Sequence, residues 1–320
     1  MQELPLPVKP ATIVDTMKGF TLCMIALSFA PSLMICTAAG ARRYQGRKGV
    51  PTYTRSGDPN IQAQAAVVMD LTEGHELFMK NPDAVRPIAS ISKLMAMLVV
   101  LDRHLDLDAP TKMIDGDRQI AFGGARSRLP VGLAFTNRDL LHAALMASDN
   151  RAVPALGRAV GLNPEQLVAA MNDKAKQLGM QHTHFEDPVG LNANNTSTPR
   201  DLVFMLRAAI KQPLISEITQ KAKYVAHPVG HPGWTIEYSN TDVIARNGRW
   251  SVLTGKTGYT DLALYCLAIA VRMASQHDVA MVFLGAVGKM TRFADFHRTA
   301  QWLTERKWKS SNVAADAQSM

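Results

Sequence analysis

A serine hydroxyl is a weak nucleophile until a neighbouring base takes its proton. The run Ser90-Ile91-Ser92-Lys93 offers such a pair. Helical residues three apart share a face, one turn from each other, so Lys93 is within reach of Ser90 but not of its neighbour Ser92. Lysine acts as a base only if it surrenders its own proton near neutrality, and burial and a second cation both push it that way. Lys256, in Lys256-Thr257-Gly258, is the candidate second cation. A helix start at Ser90 adds free backbone N–H groups and partial positive charge, suited to the oxyanion that follows attack on a carbonyl. A third polar motif, Ser148-Asp149-Asn150, lies between the other two. S-x-x-K and S-D-N are each weakly specific alone, and K-T-G on a strand-like run is moderately so. S-x-x-K also describes a capping serine with a surface lysine, and S-D-N a polar turn at a helix end. Together and in this order they point to one site.

The elements that must position these residues can be read from the patterning. From Gln64 the chain is strand-like (Ala65 to Asp70), with a turn near Glu73-Gly74 and a second strand through Leu77-Phe78-Met79, a hairpin pattern. A helix is predicted from about Ser90, and because Leu94 to Val100 are apolar on nearly every side it is a core helix. Thr136-x-x-Asp139, Asn163-Pro164-x-Gln166 and Thr198-Pro199-x-Asp201 each signal a helix start, and Gly179 a stop. Strand patterns return at Trp234–Tyr238, Val252–Gly258, Tyr265–Met273 and Val279–Val287, and a helix bearing Phe293, Phe296 and Leu303 follows. Strands at both ends with helices between them imply a sheet assembled from both termini around an inserted helical segment.

The chain has 320 residues, 47% hydrophobic and 19% charged, a globular composition with a formal charge of +8. Such an excess favours an anionic polymer, and equally describes a solvated basic surface. No arginine-rich aromatic platform or nucleic-acid motif appears. Lys18, the uncharged run from Gly19 to Cys36 and the exit Ala39-Gly40-Ala41 read as a secretory leader over 1–41, with an uncleaved anchor as the alternative. Cleavage would remove Cys23 and Cys36 and leave Cys266 without a disulfide partner. Residues 42–62 read as a linker, 63–308 as one domain and 309–320 as a tail. Within the domain the sheet is expected from 63–89 and 222–308, and the helical subdomain from 90–221.

Beyond the trio, Pro87-Ile88-Ala89-Ser90, Ser127-Arg128-Leu129, His184-Phe185-x-x-Pro188-x-Gly190-Leu191 and Phe293-Ala294-Asp295 extend a resemblance over most of the chain. The sequence resembles the low-molecular-weight penicillin-binding proteins, serine DD-peptidases of the peptidase S11 kind, and among them the D-alanyl-D-alanine endopeptidase type. The resemblance implies an α/β fold in which an antiparallel sheet flanked by helices carries an inserted all-helical subdomain. It implies Ser90 as nucleophile, Lys93 as general base and Ser148 as proton relay to the leaving amine. Asn150, Lys256, Thr257 and Gly258 would bind substrate, with the backbone N–H groups of Ser90 and Tyr259 as oxyanion hole. It further implies export to the periplasm, peptidoglycan stem peptides as substrate, β-lactams as covalent inhibitors, and no metal or other cofactor. Gly258 is read as leaving room for substrate beside the strand.

One departure is Ala263-Leu264-Tyr265-Cys266, where family members commonly carry glycine at the second position; leucine is expected to narrow the space behind the active-site strand. Carboxypeptidase and a catalytically silent wall-binding scaffold remain alternatives. A class A β-lactamase is disfavoured because Glu186 stands two residues too far from Leu191-Asn192 for an E-x-x-L-N loop. No H-E-x-x-H occurs, and His182-x-His184 lacks an obvious third ligand. Cys266 lies in an apolar strand run and reads as a core residue.

Overall fold

The computed structural model describes residues 49–307. The leader, the first part of the linker and the tail expected above lie outside the described residues. Five strands form one antiparallel sheet: β1 (Ala65–Asp70), β2 (Glu76–Lys80), β3 (Ser251–Thr260), β4 (Leu264–Arg272) and β5 (Asp278–Ala286). Their order is β2-β1-β5-β4-β3, so β3 is an edge strand. Val67 stands opposite Val282, which joins the two ends of the domain in one sheet, as the strand–helix–strand pattern implied. The period-two alternation divides the strands between two cores. Val67, Ala268, Val282 and Leu284 face one, while Val68, Ile269, Met281 and Phe283 face the other. With both faces covered, the strands read as nearly continuous apolar runs.

On the first face the hub is α1 (Ser92–Leu101), of which all but Leu101 is buried. It packs among α2 (Asn137–Leu145), α3 (Ala152–Ala159), α4 (Pro164–Gln177) and α5 (Pro199–Ile210), with α6 (Pro213–Gln220) beyond them. The helix-start signals hold at atomic level. The Thr136 and Thr198 hydroxyls accept the Asp139 and Asp201 amides, each at 3.1 Å, and Asn163 and Gln166 cap one another's backbone N–H. On the second face lies α7 (Thr291–Trp302), which places Phe293, Phe296 and Trp302 against Ile61 and Val68. Buried Asp295 accepts the Gln62 and Ala63 amides, each at 2.8 Å, and so ties the chain entering β1 to this helix.

Three expectations require correction. The predicted helix start at Ser90 falls instead in a short 3-10 turn, Ala89–Ile91, and α1 begins at Ser92. The sheet does not extend over 222–250: Lys223–Ala226 and Ile236–Ser239 pair with each other as a separate ribbon. Ile236 and Tyr238 are buried while Glu237 and Ser239 are exposed, and a strand with one wet face has no place in a sheet covered on both. The inserted segment is not purely helical either. Pro110–Lys112 pairs with Ala134–Thr136, which fixes the loop leading into α2.

Leu264 lies just past the turn that follows β3. Thr260 pairs with Leu264 across the loop Asp261-Leu262-Ala263, and Leu264 has φ +58°. A three-residue hairpin loop closed by a left-handed residue explains why glycine suits this position. Leucine at this position therefore carries a backbone cost. At ordinary strand positions alanine is more stable than glycine by about 0.5–1 kcal/mol. Here the order is expected to invert, with Leu264→Gly more stable than Leu264→Ala by about 1 kcal/mol because glycine escapes the left-handed penalty. Urea unfolding of the two variants measures this, and the usual order would show that no strain resides there.

Candidate active site

The turn bearing Ser90 is held in a form that few sequences tolerate. Ala89 has φ +49°, a left-handed conformation uncommon for residues with a side chain. Two glycines clasp it from either side. A Cβ on Gly190 would lie 2.0 Å from the Ala89 carbonyl oxygen, and one on Gly258 would lie 2.6 Å from that of Ile88. Gly258 was expected to leave room for substrate; that space is filled by the protein's own backbone. The same contact brings the Ser90 amide alongside β3 at Gly258, next to Tyr259.

Ser90 is half-buried, and Lys93 behind it is fully buried. The Lys93 Nζ lies 2.9 Å from the Ser90 Oγ and donates to the Val189 carbonyl oxygen at 2.5 Å. Burial pulls its pKa down from 10.5 to about 7, against the opposing charges of Asp187 and Asp149. An amine with that pKa is part neutral at physiological pH and has a lone pair to accept a proton.

Lys256 is the second buried cation. Its Nζ donates to the Ser148 Oγ at 2.9 Å and to the Thr257 carbonyl oxygen at 3.0 Å. Burial, then the charges of Lys93 and Arg292, hold it well below its ordinary pKa. Ser148 itself has φ +60°, a second left-handed residue in the site. The Thr257 hydroxyl is 2.7 Å from that of Thr241. Asn150 is buried, and its Oδ1 has no hydrogen-bond partner among the described residues. A buried acceptor left open in this way is suited to a ligand N–H.

Ser90, Ser148, Asn150, Thr257, Gly258 and Tyr259 line one cleft of about 680 Å³. The three motifs thus meet, with both lysines buried beneath the serines. A nucleophile beside a low-pKa amine, with a second hydroxyl held by a second amine, can carry acyl transfer through a serine ester.

Several residues that build the site were not singled out as functional from sequence. The Asp187 carboxylate accepts the amides of Val189, Gly190 and Asn192, each at 2.6 Å, and thereby shapes the loop whose carbonyl holds Lys93. Buried Asn195 donates to the Asp187 carbonyl oxygen at 2.7 Å and to Ser92 Oγ at 3.0 Å, joining that loop to α1. The only sequence signal for Asp187 was the His184-to-Leu191 motif that encloses it, and Asn195 lies beyond that motif. Arg292 donates to the Gly258 carbonyl oxygen at 2.7 Å and that of Cys266 at 3.1 Å, bracing β3 from behind. Glu186 and His184 lie on this loop with exposed side chains 3.3 Å apart. Cys266 is fully buried, and burial raises its thiol to about 11, which fits a packing role.

Known proteins resemble the chain closely. The sequence profile of the peptidase S11 family, described as D-alanyl-D-alanine carboxypeptidase, matches residues 52–288. The D-alanyl-D-alanine endopeptidase of Escherichia coli strain K12 is 35% identical over 284 residues, 89% of this chain and 86% of that protein. The D-alanyl-D-alanine endopeptidase of Pseudomonas aeruginosa is 37% identical over 287 residues, covering 89% of each. Among solved structures, the Streptomyces K15 DD-transpeptidase superposes with a TM-score of 0.71 at 27% identity, over 77% of this chain and 98% of that one.

Proposed function

From its membership of the peptidase S11 family of serine DD-peptidases, to which this chain belongs, we propose that it is a D-alanyl-D-alanine endopeptidase that opens peptidoglycan cross-links through an ester on Ser90. The observation that carries this reading is the 2.9 Å contact between Ser90 Oγ and a buried Lys93 amine whose pKa is about 7. In the proposed cycle the neutral amine takes the hydroxyl proton as Oγ bonds to the D-alanyl carbonyl carbon. The oxyanion is met by the backbone N–H groups of Ser90 and Tyr259. The C–N bond then breaks, and the proton taken from Ser90 ends on the departing amine with Ser148 as relay. Water hydrolyses the ester and restores the serine. Asn150 Oδ1 and the Lys256-Thr257-Gly258 strand hold the stem peptide. β-Lactams would acylate the same serine and leave it slowly.

The endopeptidase assignment draws on the names of the relatives in E. coli and P. aeruginosa, each matched over most of its length. Carboxypeptidase is the second reading, favoured by the family's own description. A silent scaffold is less consistent with a nucleophile–base contact already in place. Action in the periplasm after removal of residues 1–41 belongs to the same proposal, and is supported by the leader pattern.

The test uses two substrates. With the mature protein, cross-linked dimeric muropeptide should be converted to monomer while monomeric pentapeptide keeps its terminal D-alanine. Rapid release of D-alanine from pentapeptide, with the dimer untouched, would replace this reading with carboxypeptidase.

A further inference from the structure

Past Ser148 the cleft opens into a second hollow of about 370 Å³, which shares Ser148 and Ser239 with it and is lined further by Arg126, Arg128, Glu237 and Tyr238. Asp149 also borders it, but its carboxylate is occupied by the Ser127 hydroxyl at 2.8 Å and the Arg151 amide at 2.9 Å. Glu237 is paired with Lys223 at 3.0 Å. Arg128 donates to the Glu237 carbonyl oxygen and lies over the Tyr238 ring, 4.7 Å from its centroid. Those contacts aim the guanidinium without neutralising it. Arg126 is exposed, and no ion pair involves it among the described residues. The Tyr238 hydroxyl is buried with no hydrogen-bond partner among the described residues, and burial keeps it protonated. Two guanidinium groups, with both bordering carboxylates engaged by other partners, beside an unused O–H, make a place for an anion.

We propose that this hollow receives the leaving stem of a cross-link and that Arg126 and Arg128 hold a carboxylate on that stem. The inference rests on the reading of Ser148 as the group that protonates the departing amine. If the amine leaves past Ser148, the chain attached to it occupies the space on that side. A lone departing D-alanine needs no such space, whereas a second stem does. Stem peptides carry free carboxylates, and guanidinium groups match the carboxylate fork with paired N–H donors.

The test measures kcat and KM for wild type, Arg126→Glu and Arg126→Lys on two cross-linked dimeric muropeptides. One has free carboxylates on the leaving stem, and the other has them amidated. Wild type should prefer the free-carboxylate dimer. Arg126→Glu should raise its KM by about tenfold or more, the scale of losing a hydrogen-bonded charge contact, with kcat near wild type and the preference gone. Arg126→Lys should keep most of it. Penicillin has no second stem, so it should label all three proteins at similar rates. Equal KM for the two dimers in wild type would overturn the proposal, as would parallel losses of dimer cleavage and penicillin labelling in Arg126→Glu.

Failure of the endopeptidase reading would show separately, as wild type that leaves both dimers intact. The hollow is then judged by competition with a free stem tetrapeptide. Slower penicillin labelling of wild type than of Arg126→Glu supports the subsite, and equal slowing overturns it.

Discussion

Ser90→Ala is expected to abolish covalent labelling by fluorescent penicillin, whereas Ser92→Ala retains it. Ser90 sits in the turn that opens α1 and Ser92 is the first residue of that helix, but only Ser90 has its hydroxyl on the Lys93 amine and on the cleft. Ser92 is fully buried; its Oγ donates to the Ala89 carbonyl oxygen at 2.9 Å and accepts from Asn195 at 3.0 Å. Its loss removes a brace worth about 1 kcal/mol and should appear as a lower unfolding midpoint in protein that still labels. Undiminished labelling of Ser90→Ala would remove that residue as the nucleophile. Loss of labelling in a stably folded Ser92→Ala would transfer the role to its neighbour.

The second large effect concerns the base. Guanidinium stays protonated at any pH a protein survives, so Lys93→Arg keeps the charge and loses the lone pair. Penicillin acylation should fall by about 10² or more, the range for removing a general base. The pH dependence supplies a check that a packing role would not reproduce. Burial lowers the Lys93 pKa to about 7, so the amine is protonated and inert as a base below that pH and neutral above it. Wild-type acylation should therefore rise with pH, by about tenfold per unit on the acid side, and level off above pH about 7. Lys93→Arg should show no such rise. A wild-type rate that is flat across this range would argue that Lys93 carries no catalytic proton.

The features read from sequence are those in which a few residues announce their own geometry. The Asn163–Gln166 reciprocal cap is local, so its spacing sufficed. β1 and β5 carried dense apolar runs, so they read as strands of one sheet before their pairing was known. What escaped depends on contacts across long sequence separations. Nothing near Ala89 states that its backbone is left-handed; that follows from Gly190 and Gly258 pressing on it from distant segments. Asp187 fell at an unspecified position of the His184-to-Leu191 motif, and its role emerges only because three amides turn onto its carboxylate. The ribbon at 223–239 was assigned to the main sheet because alternation identifies a strand without naming its partner.

The position of β3 at the rim of the sheet has a consequence for the molecule in concentrated solution. An unpaired strand margin exposes N–H and C=O groups that any extended chain, including another copy of the same protein, can bind. Here the margin is largely occupied. The end of α6 lies along its first half, where Gln220 donates to the Leu253 carbonyl oxygen at 3.2 Å and Thr219 lies 3.3 Å from the Thr254 hydroxyl. Further along, the backbone of Ile88 abuts Gly258. What stays accessible is the short run around Tyr259 and Thr260, ending at the charge of Asp261. That is room for a brief peptide and too little for the long ladder that self-association of sheets requires. The protein can thus keep an open margin for recognition and resist fibril growth from it.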